Sequence, residues 1–254
     1  MIIDPKRIVF GVYKVLFAFG VRFRNQYMDT MNFRCLVLDH DDTTVSSTPC
    51  IHYPAFVKIL EVLRPGKHYS MEEFLQKNFS PGLWSFYIND LGFTKQELEM
   101  EGTIWRSFVA DIVPPFFPGM GELIKRQKEA GGFVCVVSHS FPEYIRRDYE
   151  SANVPLPDLI YGWDSDRSKC KPSPWPLQEI MRITGCKPEE ILMVDDLMPG
   201  LEMAHACGVK FAACGWGYDI QPIHECMEMH ADYVLKEVAD LEKLLFSGEE
   251  FCVR

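Results

Sequence analysis

The chain has 254 residues, of which 47% are hydrophobic, and a formal net charge of −10. This length and apolar content suit one large α/β domain, or one such domain with a smaller domain inserted into it. An acidic chain without a long basic run lacks the positive surface that nucleic-acid binding requires, so nucleic acid is excluded as a partner. An anionic small molecule is compatible with this charge, because a local lysine and a metal ion outweigh a distant net charge.

The cysteines indicate the compartment. The nine cysteines include no Cys-x-x-Cys pair, and several fall within strand-like apolar runs, such as those around Cys35 and Cys135. Free, mostly buried thiols in a reducing environment are therefore expected. On this basis we predict a cytoplasmic protein.

Residues 1–31 are predicted to form an accessory helix that folds onto the body of the protein. The segment Ile8–Val21 is largely apolar, but Lys14 interrupts it. It is also shorter than the roughly 20 apolar residues that a membrane span needs, and it lacks a convincing signal-peptide cleavage site. Basic residues flank it, so a position on a membrane surface or against another subunit is the alternative. A membrane partner is the less expected of these interpretations.

Strand-like and helix-like patterns alternate along most of the chain. This alternation predicts a parallel sheet flanked by helices, a Rossmann-like α/β fold. A proline followed by two glutamates predicts the start of a further helix near Pro188. The predicted strands are Phe33–Leu38, Phe133–Val137, Leu159–Tyr161, Ile191–Val194, Phe211–Cys214 and Tyr233–Leu235, and two clear helices are Met120–Ala130 and Val238–Phe246.

The interval between the first two strands is far longer than a crossover needs, and most of it has a helical pattern. Capping boxes, which mark helix starts, begin at Ser70 and at Thr94. We therefore predict an inserted helical cap over residues 48–115. Residues 32–47 and 116–254 would form the main α/β domain.

Two pairs of aspartates follow predicted strands: Asp39 with Asp41, and Asp195 with Asp196. Ligand sites of open α/β sheets lie at the carboxyl ends of the strands, so these acids are expected to share one crevice. Buried carboxylates repel one another and need a compensating cation, and Mg²⁺ held by carboxylates, phosphate and water suits them. Within the first pair, one carboxylate can act as a nucleophile while the other donates and removes protons.

Ser138 and Lys171 are further candidates for the same crevice. Ser138 follows the second strand, where a hydroxyl and nearby backbone N–H groups can bind a ligand oxygen. Lys171 precedes Pro172, which restricts the lysine to an extended conformation and can hold its ammonium group inward. Each residue alone is weak evidence, because solvated lysines and strand-end serines are common.

These residues, in this order, resemble the motifs of the haloacid dehalogenase superfamily. The resemblance covers about residues 33–246, and the insertion is similar to the type-one helical cap of phosphoglycolate phosphatases and β-phosphoglucomutase. One motif alone is unspecific, whereas all of them in this order are a strong indication. The matching segments are Asp39-His40-Asp41-Asp42-Thr43, Ser138, Lys171-Pro172-Ser173-Pro174 and Asp195-Asp196.

The resemblance implies an enzyme, a phosphoric monoester hydrolase that acts through an aspartyl-phosphate. Asp39 would attack phosphorus, and Asp41 would protonate the leaving oxygen and then activate water. Ser138 and Lys171 would bind the transferring phosphoryl group. The implied Mg²⁺ ligands are Asp39, Asp41 through its backbone carbonyl, Asp196 and, either as a ligand or as support for one, Asp195.

Several positions depart from the family pattern or stay open. Asp42 stands where many type-one relatives have glycine, which can alter the loop or the charge balance. His52 lies roughly where β-phosphoglucomutase has a substrate-gating histidine, although a histidine at the start of a helix is the more common interpretation. His40 is expected to pack away from the site. Candidates for the inner face of the cap are Trp84, Phe86, Tyr87, Trp105 and Arg106.

The function that the sequence favours is a Mg²⁺-dependent phosphatase acting on a small phosphorylated metabolite. Asp41 favours phosphate esters over carbon–halogen bonds, because dehalogenases of this fold lack the second motif aspartate. A phosphomutase of the β-phosphoglucomutase type is the alternative, and a non-catalytic binding protein on the same fold is less favoured. The sequence leaves the substrate and the oligomeric state open.

Overall fold

The computed structural model describes residues 31–164 and 166–247. These residues form a six-stranded parallel sheet with the strand order β3-β2-β1-β4-β5-β6. The order reverses between β1 and β4, and ligands of open α/β sheets bind at such a switch point. The strands are β1 (Cys35–Leu38), β2 (Phe133–Val137), β3 (Leu159–Tyr161), β4 (Ile191–Asp195), β5 (Lys210–Cys214) and β6 (Tyr233–Leu235).

The central strands β1 and β4 are buried along their whole length, as expected of a parallel sheet that helices cover on both faces. Leu38 of β1 lies opposite Val136 of β2 and Val194 of β4. The Asp39 N–H donates to the Val194 carbonyl at 2.9 Å, which extends this register by one residue. The residues that follow β1, β2 and β4 therefore emerge together at one edge of the sheet.

Helices pack on both faces of the sheet. On one face, Leu36 and Leu38 pack with residues of α4, α5 and α9, and on the other Cys35 and Val37 pack with residues of α6, α7 and α8. Among the described residues, none of the helices is both long enough and apolar enough to span a membrane. The helices are α1 (Tyr53–Leu63), α2 (Met71–Lys77), α3 (Lys95–Asp111), α4 (Met120–Glu129), α5 (Pro142–Ser151), α6 (Trp175–Thr184), α7 (Met198–Ala206), α8 (Gln221–His230) and α9 (Val238–Phe246).

The chain between β1 and β2 forms an inserted helical cap that contains α1, α2 and α3. Both predicted capping boxes are present. The Ser70 and Thr94 side chains accept from the backbone N–H groups of Glu73 and Glu97, and the backbone N–H groups of Ser70 and Thr94 donate to the carboxylates of these glutamates. The outer limits of the cap, residues 48 and 115, stay a prediction. Short helical turns complete it at Thr48–His52, Asn78–Gly82, Leu83–Ser85 and Phe86–Asp90.

Aromatic side chains build an apolar core within the cap. Phe56 lies 4.7 Å from Phe74 and 5.9 Å from Phe86 between ring centroids. Phe86 and Tyr87 are almost fully buried and lie beside each other. These two residues therefore belong to the core of the cap and not to its inner face.

One predicted helix is wrong, and another lies outside the described residues. Near Pro188 the chain makes only a 3₁₀ turn, Pro188–Glu190, because β4 already begins at Ile191. The helix that precedes β4 is α6, which ends at Thr184 and is capped by Gly185, a residue in the left-handed region with φ 66°. The accessory helix predicted over residues 1–31 falls on residues 1–30, which are not described.

Candidate active site

Asp39, Lys171 and Asp195 form a buried ion-pair cluster at the switch point of the sheet. Lys171 Nζ donates to Asp39 Oδ1 at 2.8 Å and to Asp195 Oδ2 at 2.6 Å. Each of the three residues is buried. Burial alone would lower the pKa of Lys171, but the charges of Asp195 and Asp39 raise it above its ordinary value. The Lys171 ammonium therefore points into the site and stays charged.

Asp196 adds a third carboxylate to this cluster. Oxygen atoms of Asp39, Asp195 and Asp196 all lie within 4.8 Å of one another. The Thr43 hydroxyl donates to Asp196 Oδ1 at 3.0 Å, and the Tyr218 hydroxyl donates to Asp196 Oδ2 at 3.0 Å. Burial raises the pKa of Asp196 well above its ordinary value, and the charges of Asp195 and Asp39 raise it further. Two hydroxyl groups therefore orient a carboxylate that is costly to ionise.

This donor set fits a hard divalent cation. Three carboxylates face the single ammonium group of Lys171, so full ionisation would leave excess negative charge in a buried place. Burial raises the pKa of Asp195 to about 7, against the attraction of Lys171. Mg²⁺ is bound in proteins by a few carboxylate oxygens together with water and phosphate. A cation bound between these carboxylates would neutralise their negative charge, which otherwise requires that some of them be protonated.

The Asp195 carboxylate is held from two sides. Its Oδ1 accepts from the Leu197 N–H at 2.9 Å, while Oδ2 accepts from Lys171. A Cβ atom on Gly200 would lie 2.2 Å from Asp195 Oδ2, so the first turn of α7 can approach the carboxylate only because residue 200 has no side chain. Both oxygens of Asp195 are thus engaged in fixing Lys171 and the start of α7.

The Asp41 carboxylate faces the cap instead. It accepts a hydrogen bond from the Ser140 hydroxyl. Its Oδ1 lies 3.0 Å from His52 Nε2, which is ion-pair distance, although the ring is not oriented for a hydrogen bond. Trp105 Nε1–H donates to His52 Nδ1 at 3.0 Å. Because an indole N–H only donates, Nδ1 accepts and a neutral His52 carries its proton on Nε2, toward Asp41.

Asp41 consequently has a different electrostatic state from its neighbours. Burial would raise its pKa, but His52 and the hydrogen bond from Ser140 hold that pKa well below the ordinary range. In this arrangement Asp41 is an ionised carboxylate whose charge the protein itself compensates. The three acids around Lys171 share a single ammonium group, so their charge is compensated only in part.

Ser138 lies in the loop after β2, which contacts Asp41 and the segment of Lys171. Its backbone N–H donates to the Tyr161 carbonyl at 2.9 Å, and its hydroxyl accepts from the Ser140 N–H at 3.1 Å. In the same loop, His139 Nε2 lies 3.0 Å from the Lys171 carbonyl. The loop after β2 therefore connects Asp41, through Ser140, to the segment that carries Lys171.

Asp42 joins the motif loop to the beginning of the cap. Its φ of 55° is in the left-handed region, which glycine adopts most readily and which aspartate tolerates better than most residues. Its carboxylate accepts from the Thr48 N–H at 3.0 Å and also from the Thr48 hydroxyl. The extra acid thus faces the linker into the cap, where it supports the first helical turn.

Comparison with known proteins identifies the family. A family model described as haloacid dehalogenase-like hydrolase matches residues 36–214. The chain belongs to the haloacid dehalogenase-like hydrolase family. The match includes every predicted motif from Asp39 to Asp196, and it confirms the predicted hydrolase class and the superfamily resemblance.

Three matches extend over nearly the full length of the relative or neighbour. Pyrophosphatase PpaX of Halalkalibacterium halodurans is 27% identical over 215 residues, which are 83% of this chain and 96% of the relative. A predicted phosphoglycolate phosphatase from Haemophilus somnus has a TM-score of 0.69 at 19% identity, over 85% of this chain and 99% of that one. CbbY from Rhodobacter sphaeroides, in complex with xylulose-(1,5)bisphosphate, has a TM-score of 0.63 at 19% identity, over 82% of this chain and 96% of that one. At such identities the two structures establish a shared fold.

Sequence reasoning missed some residues of the candidate site. Ser140 follows Ser138 in the loop after β2, and Tyr218 lies in the loop after β5. The rule that places ligand sites at the carboxyl ends of parallel strands applies to both loops and could have identified them. The contact of Trp105 with His52 had no such signal, because it depends on how the cap is seated on the sheet.

Other candidate residues lie where the cap contacts the α/β domain. The Arg106 guanidinium stacks over the Phe141 ring at 5.0 Å. Trp84 stacks on Trp163 with ring centroids 6.3 Å apart. These cap side chains contact the loops after β2 and β3, beside the acidic crevice.

Proposed function

We propose that this hydrolase is a Mg²⁺-dependent phosphatase that hydrolyses a small phosphorylated metabolite through an aspartyl-phosphate on Asp39. The observation that carries the proposal is the buried cluster at the switch point, where one lysine faces three carboxylates. A phosphoryl group brings negative oxygens that a fixed ammonium and a divalent cation stabilise. A purely structural role gives no reason to bury three repelling acids together.

In the first half-reaction, a carboxylate oxygen of Asp39 forms a bond to phosphorus while the bond from phosphorus to the leaving oxygen breaks. Asp41 donates a proton to that oxygen, and Ser138 and Lys171 bind the phosphoryl oxygens. In the second half-reaction, Asp41 takes a proton from water as the water oxygen attacks phosphorus. The bond from phosphorus to the Asp39 oxygen breaks as the new bond forms, so phosphate leaves and Asp39 regains its carboxylate.

Asp41 must therefore change its protonation state during the cycle. Its pKa is low while Oδ1 lies beside His52, so Asp41 is in the ionised form that a base requires, but a pKa this low also makes it a weak base. For the acid role, Asp41 must be protonated when substrate binds, and movement of His52 away from the carboxylate would raise the pKa toward that requirement. Since His52 is held by Trp105 of the cap, cap position and proton transfer are expected to be linked.

Asp39, Asp196 and the backbone carbonyl of Asp41 would hold Mg²⁺, which when bound neutralises charge on the phosphoryl oxygens. We assign Asp195 to support, because one of its oxygens already binds Lys171 and the other binds the N–H of Leu197. The phosphate-bearing substrate would enter between the cap, proposed as residues 48–115, and the sheet. Closure of the cap would exclude water while the leaving group is present.

A small phosphorylated substrate is supported by the names of the relatives, which include a pyrophosphatase and a phosphoglycolate phosphatase. A cytoplasmic location is supported by the free thiols of all cysteines within the described residues.

The test is phosphate release from a panel of phosphorylated sugars, nucleotides, short acids and pyrophosphate, with Mg²⁺ and then with EDTA. We expect hydrolysis of at least one compound and its loss in EDTA. In water enriched in ¹⁸O, hydrolysis places the label in the released phosphate. Transfer of the phosphoryl group to a sugar without label would favour the mutase, and binding without turnover across the panel would overturn both activities.

A further inference from the structure

The cap returns to the sheet after α3, and Arg147 of α5 holds the end of that helix. Arg147 Nη1 donates to the carbonyls of Val109 and Ala110 at 2.6 and 3.1 Å. Its Nη2 donates to the Ile112 carbonyl at 2.9 Å. The last carbonyls of an α-helix have no partner within the helix, and their dipoles favour a nearby cation. One guanidinium of the α/β domain thus satisfies the end of the last cap helix.

The same guanidinium is connected to the loop that carries the proposed nucleophile. Arg147 Nε and Nη2 donate to Asp148 Oδ1 at 2.8 and 2.7 Å, and Asp148 Oδ2 lies 3.0 Å from His40 Nε2. His40 stands between Asp39 and Asp41 in the chain. His40 and Asp148 are 1% and 3% exposed, so this contact is shielded from water. An ionised carboxylate only accepts, so His40 Nε2 donates to Asp148.

Asp148 is the main polar anchor of the His40 ring. The ring stacks on Tyr149, with centroids 6.1 Å apart. His40 Nδ1 is buried and has no hydrogen-bond partner among the residues that the structure describes. The orientation of His40 consequently depends on where Arg147 holds the Asp148 carboxylate.

We propose that Arg147 and Asp148 are positioning residues that couple the seating of the cap to the loop of Asp39 and Asp41. The inference rests on the proposed phosphatase function, since the loop is positioned for that reaction. When the cap is seated, the carbonyl groups at the end of α3 accept hydrogen bonds from the Arg147 guanidinium. The remaining N–H donors of Arg147 hold the Asp148 carboxylate against His40. Both residues act through His40 and not on the substrate.

A purely structural role makes a different prediction. If Arg147 only fastens the cap, its loss lowers thermal stability but leaves kcat unchanged in the protein that remains folded. If it positions the motif loop, kcat falls while KM for a small substrate changes little, because the phosphoryl-binding residues are retained. The two roles therefore separate in the kinetic parameters.

The experiment compares Arg147→Met, Arg147→Lys and Asp148→Asn with the control Arg126→Met. Arg126 lies on α4, donates to Glu242 at 2.7 Å and stacks over the Phe246 ring, so both of these contacts are with α9. With p-nitrophenyl phosphate and Mg²⁺, we expect kcat to fall roughly 10- to 100-fold in Arg147→Met and Asp148→Asn, since small misplacements of reacting groups have effects of this size. KM should stay within about twofold, and Arg147→Lys should recover part of the loss.

Arg147→Met combined with Asp148→Asn should lose no more activity than either single variant, because both act along one path. Independent losses that multiply in the double variant, or an equal loss in Arg126→Met, would overturn the proposal. So would an unchanged kcat in folded Arg147→Met. If that variant does not fold, Arg147→Lys and Asp148→Asn give the same comparison.

Hydrogen exchange without substrate separates this inference from the proposed function. We expect faster exchange of the backbone amides in residues 39–45 in Arg147→Met and not in Arg126→Met. If this holds but the wild-type protein hydrolyses no ester, the phosphatase assignment fails while the coupling stands. If esters are hydrolysed and neither exchange nor kcat changes, the coupling fails while the phosphatase assignment stands.

Discussion

Two acidic regions lie side by side in this molecule. The sheet-edge cluster consists of Asp39, Asp195 and Asp196 around Lys171. The second region, the cap contact, consists of Asp41, its partners Ser140 and His52, and Trp105, which donates to His52. Asp39 and Asp41 are separated by one residue, yet the first region retains excess negative charge and the second is compensated by its own partners.

This difference shows how one short motif can supply two chemical roles. The sheet-edge cluster is fixed by strands and by a buried lysine, so its charge can be compensated further only by a cation or by protons. The cap contact depends on His52 and Trp105, which both lie in the chain between β1 and β2. In the proposed reaction, charge binding therefore belongs to the sheet-edge cluster and proton transfer to the cap contact.

The largest expected effect is in the sheet-edge cluster. Asp39→Asn keeps the shape and a hydrogen-bond acceptor for Lys171 but removes the nucleophile, so turnover of p-nitrophenyl phosphate should fall more than about 1000-fold. Circular dichroism and thermal unfolding should still show a folded protein. Asp219→Asn, at an exposed position beside His224, serves as the control and should retain activity. Normal activity in Asp39→Asn would refute the nucleophile assignment.

Removal of the lysine is expected to have the next largest effect. Lys171→Met leaves three carboxylates without their ammonium partner, so kcat/KM should fall roughly 100-fold and product phosphate should bind more weakly. Lys169→Met is the matched control, because Lys169 lies two residues away and is partly exposed. Steady-state kinetics and phosphate inhibition measure both effects. Equal rates for the two variants would place Lys171 outside the reaction.

A smaller effect is expected from the cap contact. Trp105→Phe retains an aromatic ring beside His52 but removes the N–H that fixes Nδ1, so kcat should fall roughly threefold to tenfold with little change in KM. Trp175→Phe, at the start of α6, controls for the general loss of an indole. The pH dependence of kcat should shift only in Trp105→Phe. A KM effect without a kcat effect would instead make Trp105 a substrate contact.

The smallest effect is a pH-dependent change in stability. The folded-state pKa of Asp195, about 7, lies above its ordinary value of 3.8. Its contribution to stability is therefore fully present below about pH 4 and is lost as pH rises through about 7. Mg²⁺ should offset this loss, so the increase in melting temperature on adding Mg²⁺ should be larger at pH 8 than at pH 5.

Thermal unfolding with Mg²⁺ or EDTA at the two pH values measures this difference. Asp196→Asn should abolish most of the Mg²⁺ effect, because it removes one of the proposed ligands. A shift that is equal at both pH values, or that persists in Asp196→Asn, would place the cation elsewhere.

Much of the sheet followed from apolar runs of the right length. The strands at Phe133–Val137, Leu159–Tyr161 and Tyr233–Leu235 were predicted with the bounds that the structure has, and both capping boxes were predicted correctly. The helix near Pro188 was wrong because proline followed by acids also starts a single 3₁₀ turn, and only the nearby start of β4 limits its length. Local signals predict where an element begins better than how far it continues.

The parallel α/β fold, the inserted helices and the strand ends at which Asp39, Ser138 and Asp195 stand could be predicted from sequence, because burial of apolar side chains and strand direction are encoded locally. Tertiary structure alone decided that Lys171 bridges two carboxylates, and that Arg147 ties the cap to the motif loop. These contacts join residues far apart in the chain, so their geometry depends on the packing of whole elements. The spacing of residues along the sequence does not predict how these elements pack against one another.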